Sequence, residues 1–168
     1  MSGTPIDATG LAGLRIARAE ARDAPELLVL QRACWVAEAL ANETLAISAL
    51  HETLDDVERG ILDQQTWVVR DGPRLVGSVR GTVAGDAWEI GRLMVAPDLA
   101  GRGLGRFLLA WIEKHRPDGV ARLELFTGAR STRNLRLYGN AGYGIDRTVN
   151  GVAHLSKPAG ESSNGASG

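Results

Sequence analysis

The chain has 168 residues, with 19 Lys and Arg against 20 Asp and Glu and a formal net charge of -1. This length fits one domain with a continuous core, and the balanced charge excludes a global field that would draw the protein onto nucleic acid or an anionic membrane. The single cysteine, Cys34, excludes an internal disulfide, no Cys and His cluster has metal-ligand spacing, and no apolar run reaches the ~20 residues of a membrane span.

The opening MSGTPIDATG lacks the charged and apolar segments of a signal peptide, so a reducing, cytoplasmic location is expected. Residues 1–13 are small and polar and read as a flexible tail, as do residues 159–168. A single domain should therefore occupy residues 14–158. Leu14 and Ile16 alternate with Arg15 and Ala17 as a first strand. Asp23-Ala24-Pro25-Glu26 then supplies a capping-box pattern for a helix through LLVLQRACWVAEAL. A second capping pattern, Thr53-Leu54-Asp55-Asp56, opens a shorter helix carrying Val57, Ile61 and Leu62.

Two β-rich runs follow, TWVVR and RLVGSVRGTV, split by the turn Asp71-Gly72-Pro73. A third antiparallel strand, AWEIGRLMV, should leave the sheet at Ala96-Pro97, because proline cannot continue the ladder. Next come a glycine-rich loop, a helix through FLLAWIEKH, a break at Pro117-Asp118-Gly119 and the buried strand RLELF, which together describe a βαβ crossover. Ser131 can cap a further helix ending near Gly142. Two last strands are joined by Asn150-Gly151. The fold class is α/β in the broad α+β sense, with a mixed, mostly antiparallel sheet flanked by helices.

The segment Gly101-Arg102-Gly103-Leu104-Gly105-Arg106 lies between a strand and a helix, so its amides open that helix unpaired. Glycines admit a phosphate close to the backbone, the helix dipole adds positive potential, and Arg102 and Arg106 supply local charge. A pyrophosphate is the natural guest. The loop lacks the Gly-Lys-Ser/Thr ending of a P-loop, and Arg106 stands where a dinucleotide fingerprint needs Gly.

LMVAPDLAGRGLGRFLL resembles the pyrophosphate-binding motif of the GNAT superfamily of acetyl-CoA-dependent N-acetyltransferases, and ARSTRNLRLYGNAGYG resembles that family's Asn-x-x-x-Tyr helix followed by Gly-Tyr. One position departs: Ala100 stands where the family has Gln or Arg, which removes a side chain but no backbone amide. The resemblance implies a GNAT fold with a βαβ acetyl-CoA-binding core and direct acetyl transfer to an amine in a ternary complex. It also implies that the pantetheine arm runs along the backbone of Leu93, Met94 and Val95, whose side chains alone would read as core. Asn134 and Tyr138 lie four apart on one helical face. By resemblance Asn134 hydrogen-bonds the pantetheine region, and Tyr138 stabilises or protonates the leaving thiolate.

Full proton transfer from a Tyr of pKa about 10 to a thiolate of about 8.5 is uphill by ~2 kcal/mol, so a strong hydrogen bond from Tyr138 is the alternative. Glu89 is the candidate base, because it stands eleven residues before Ala100, the same interval at which histone acetyltransferases of this superfamily carry their catalytic glutamate. It could equally pair with an Arg such as Arg92. His51, His115 and His154 are scattered, Cys34 reads as a small core residue, and the tryptophans read as packing, with Trp35 or Trp88 available to an acceptor pocket. Acceptor specificity should reside in residues 37–58 and 147–154. Expected partners are acetyl-CoA and a small-molecule or peptide amine, with a homodimer left open. No metal, nucleic acid or membrane is expected. A catalytically weak acyl-CoA-binding regulatory module is the rival reading.

Overall fold

In the computed structural model, which describes residues 2–160, eight strands form one sheet in the order β1-β2-β3-β4-β5-β6-β8-β7. The strands are β1 (Thr4–Pro5), β2 (Leu14–Arg18), β3 (Gln65–Asp71), β4 (Arg74–Ala84), β5 (Ala87–Val95), β6 (Arg122–Gly128), β7 (Gly144–Val149) and β8 (Val152–Pro158). Only β5 and β6 pair in parallel. The helices are α1 (Ala24–Asn42), α2 (Ser48–His51), α3 (Leu54–Asp63), α4 (Leu104–Lys114) and α5 (Thr132–Asn140).

Successive strand residues point to opposite faces, and β4 uses both. A Cβ on Gly77 would meet Leu104 and Leu108 of α4, whereas the Arg80 side chain reaches Gly60 of α3. Helix α4 therefore covers one face of the sheet, and α1 and α3 cover the other. The core includes Ile16, Val69, Val76, Val79, Leu108, Leu109, Ile112 and Leu123, all buried. The predicted turns form as their chemistry dictates. Asn150 and Gly151 take φ of 50° and 77°, the left-handed pair that a two-residue hairpin loop needs.

Three expectations are corrected. Residues 2–13 are not a tail: β1 pairs with β2, the Ile6 amide donates to the Leu14 carbonyl at 2.9 Å, and Ile6 and Leu11 are buried. Two isolated apolar side chains among small residues show no period, which is why the segment reads as disordered. The Asp23–Glu26 capping box does not form. The Asp23 carboxylate instead accepts the Glu20 amide at 2.8 Å and pairs with Arg70, while Glu26 accepts the Leu75 amide. Ser131 occupies the cap position of α5 without capping it through its side chain. Trp88 is core, as the packing reading expects, its indole N–H donating to the Ile112 carbonyl at 3.1 Å, and it does not line the acceptor side of the cavity described below. The Thr53–Asp56 capping box of α3 does form. The tail expected at residues 159–168 falls mostly on 161–168, outside the described residues. Ala159 donates its amide to Ala121.

Candidate active site

The parallel pairing of β5 with β6 covers only Ala87–Glu89 against Arg122–Glu124. Beyond Glu89 the two strands separate, and β5 remains paired only on its β4 side. The separation begins at a bulge where the β4–β5 register shifts between Ser78 and Arg80, and Arg92 on β5 takes a left-handed φ of 48°. A non-glycine residue with positive φ is costly. Arg92 is held there by Glu52, whose carboxylate accepts its guanidinium at 2.6 Å, and the guanidinium lies 5.8 Å from the Trp35 ring centroid.

The gap between the strands is part of a cavity of about 850 Å³. Leu93, Met94 and Val95 form one wall, Gly101, Leu104 and Gly105 lie at its α4 end, and Asn134 and Tyr138 of α5 stand opposite. Trp35, Glu38 and Asn42 of α1 and the turn at Asn150–Val152 complete it, so parts of both expected acceptor segments line the same space. Met94 and Leu104 are buried side chains of the core.

Helix α4 begins at Leu104 after Gly101 and Gly103, with φ of 81° and 90°. Its first inward bond runs from the Phe107 amide to the Gly103 carbonyl. Among the described residues no N–H from Gly101 to Arg106 donates to the protein. No heavy atom lies within 4 Å of a Cβ built on Gly101, and at Gly103 only the tip of the Arg106 side chain does. An open row of amides at a helix start suits a pyrophosphate. Arg102 and Arg106 are exposed and off the cavity wall; Arg102 donates to the Gly10 carbonyl at 3.0 Å, and Arg106 folds over Gly103.

Tyr138 is buried, and among the described residues its hydroxyl has no protein hydrogen-bond partner. Burial, and then the charge of Glu38, raise its pKa above the ordinary value of 10.0, so the phenol stays protonated. Asn134 spends its side-chain N–H groups on Glu38 at 2.6 Å and Thr127 at 3.2 Å. Its carbonyl oxygen is left as the acceptor.

Glu89 is exposed on β5 and absent from the cavity wall, on the sheet face that also carries Arg80. Cys34 lines the cavity but donates to the Val95 carbonyl at 3.2 Å, and burial pushes its thiol up to about 11, which leaves it a poor nucleophile. His51 and His115 are engaged by the Leu45 and Trp111 carbonyls. A carboxylate on the cavity wall that sequence reasoning did not single out is Glu38. Its helix carries no motif, and its partners lie 93 and 96 positions away. Among the described residues there is no group of metal-binding side chains, and no helix is long and apolar enough to cross a membrane.

A model of the acetyltransferase (GNAT) family matches residues 25–143. The UPF0157 protein YqkA of Bacillus subtilis is 28% identical over 136 residues, 81% of this chain and 39% of that protein, so the chain spans well under half of that relative. The fold resembles the PaiA N-acetyltransferase of Thermoplasma acidophilum in complex with coenzyme A, with a TM-score of 0.76, 15% identity, and 86% and 98% of the two chains covered. It also resembles YncA of Salmonella typhimurium with its cofactor acetyl-CoA, with a TM-score of 0.65, 16% identity, and 89% and 96% covered. A third similar structure is the ribosomal-protein-S18-alanine N-acetyltransferase of Escherichia coli, with a TM-score of 0.64, 17% identity, and 92% and 99% covered. With its divided β5–β6 pair and open glycine amides, and with a family match over most of its length, the chain belongs to the GNAT acetyltransferase family.

Proposed function

We propose that this protein is an N-acetyltransferase that moves an acetyl group from acetyl-CoA to an amine by direct attack in a ternary complex. The observation that carries this reading is the alignment of three features along one cavity: unpaired amides from Gly101 to Arg106, an unpaired edge of β5 at Leu93–Val95, and the Tyr138 hydroxyl. They match, in order, the phosphates, the amide-bearing arm and the sulfur of a coenzyme A thioester. Acetyl-CoA supplies an activated acyl carbon and a thiolate leaving group.

The residues divide the work. The loop amides bind the pyrophosphate, with Arg102 and Arg106 as mobile charge at the rim. The Leu93–Val95 backbone orients the arm and offers an N–H to the acyl oxygen as charge gathers there. Asn134, with its carbonyl oxygen free, accepts an amide N–H of the arm. Tyr138 stays protonated and donates a hydrogen bond to the departing sulfur. Its raised pKa disfavours full proton loss, so the proton that reaches sulfur comes from the attacking nitrogen. Glu89, being exposed and outside the wall, would take the first proton of the ammonium through water before attack, and the second passes to sulfur as the tetrahedral adduct collapses.

The test is thiol release from acetyl-CoA with a panel of amines, followed by mass spectrometry of the product. Amine-dependent release with acetylated product is expected. Tight coenzyme A binding with no turnover on any amine would instead favour a regulatory acyl-CoA-binding module.

A further inference from the structure

Glu38 is half-buried, and among the described residues it is the sole carboxylate on the cavity wall. Its two oxygens are held by neutral donors. The Ser131 hydroxyl donates to Oε2 at 2.5 Å, and the Asn134 amide donates to Oε1 at 2.6 Å. Ser131 is fixed in turn by Asn42, whose Nδ2 donates to its hydroxyl oxygen at 2.9 Å. Each carboxylate oxygen accepts two hydrogen bonds, so each keeps one site open.

Two of the three arginines on the cavity wall are committed to other carboxylates, and the third, Arg133, is exposed. Arg92 pairs with Glu52 at 2.6 Å and Arg130 with Glu43 at 2.6 Å, while Arg133 makes no ion pair with Glu38. A partly buried carboxylate held only by neutral donors gains further from a cation that takes its open sites. The charge also sits toward the reacting end, since Glu38 holds Asn134, one helical turn before Tyr138 on α5, and lines the same cavity as that tyrosine. Trp35 and Phe126 supply aromatic surface on the same wall.

We propose that Glu38 is the acceptor-recognition residue, and that the ammonium of the acceptor amine completes the open sites on this carboxylate. The inference rests on the transferase reading and deepens it by naming the residue that receives the acceptor. It places a carboxylate from α1, rather than the exposed Glu89, against the amine nitrogen.

The experiment measures binding of 2-phenylethylamine and of its uncharged counterpart 2-phenylethanol by ligand-observed NMR, with and without coenzyme A. A charge-assisted hydrogen bond predicts that the wild-type protein binds the amine at least ~10-fold more tightly than the alcohol. Glu38→Gln should abolish that preference and leave alcohol binding unchanged, and Glu38→Asp, which keeps the charge, should retain part of it. Because the readout is the ratio of two probes on one protein, a general disturbance of the cavity does not imitate it. Equal binding of the two probes to the wild type, binding of neither, or a preference that survives in Glu38→Gln overturns the proposal. Thiol release with acetyl-CoA is scored separately, with 2-phenylethylamine and the amine panel: amine binding with no turnover of any amine would reject the transferase reading and leave the recognition role of Glu38 standing.

Discussion

Glu52, at the end of the short α2, accepts the Arg92 guanidinium on β5 across 2.6 Å, with the Gln31 amide on its other oxygen at 2.7 Å. This pair ties the helical layer to the bulge that opens the cavity. Burial alone would raise the Glu52 pKa, but hydrogen bonds from Arg92 and Gln31 and the charges of Arg92 and Arg80 outweigh it and hold the carboxyl below the ordinary 4.5. A carboxyl depressed in the folded state contributes stability that is complete above its unfolded value and lost as pH falls through the folded one. Glu52→Gln should lower urea stability by about 1–3 kcal/mol at neutral pH and flatten the loss seen below pH 4.5. An unchanged midpoint across that range would show that the bulge is held by other contacts.

At Gly103, with φ of 90° and nothing but the Arg106 tip beside it, an aspartate adds backbone strain and a negative charge among the loop amides. Its carboxylate would compete for the N–H groups that receive the pyrophosphate. Gly103→Asp should weaken coenzyme A binding by ~100-fold or more in calorimetry, with circular dichroism reporting a folded protein. Wild-type affinity would remove the loop from the binding site.

Tyr138→Phe keeps the buried ring and deletes the hydroxyl. The expected result is a ~10-fold to 1000-fold loss in kcat with acetyl-CoA affinity nearly unchanged. Burial and Glu38 keep the phenol protonated past the ordinary value of 10.0, so the wild-type rate should show no alkaline decline attributable to this group near that pH. An unchanged kcat, measured where chemistry limits turnover, would make the hydroxyl a packing group.

Glu89→Gln tests the proton path. With Glu89 as the terminal acceptor, the acid limb of kcat/KM should shift and the variant should recover rate as free amine accumulates at higher pH. Wild-type kcat, KM and pH dependence would take Glu89 out of the mechanism and leave the proton to solvent.

Gly81→Ala probes the α4 face of the sheet. A Cβ there would fall 2.1 Å from Cζ2 of the buried Trp88, whose indole is anchored to Ile112. The ring has little room to move, so a loss of roughly 1–3 kcal/mol in thermal or urea unfolding is expected.

Much of this protein follows from local chemistry that the chain carries in short windows. Asp71-Gly72-Pro73 and Asn150-Gly151 specify their turns, alternation marks β3 to β5, and Thr53 with Asp56 starts α3. Glycines at 101, 103 and 105 followed by an apolar helix specify the loop before any contact is known, because backbone freedom and helix-end amides are local properties. What the tertiary structure decided is non-local. The burial of Ile6 and Leu11, the inward turn of Trp88 and the exposed position of Glu89 depend on register and on which face another element covers. The meeting of Glu38 with Ser131 and Asn134 depends on α1 crossing the divided end of the sheet. A hydrogen bond between residues more than ninety positions apart leaves no periodicity in either segment, so the carboxylate nearest the proposed chemistry emerges only when the chain is folded.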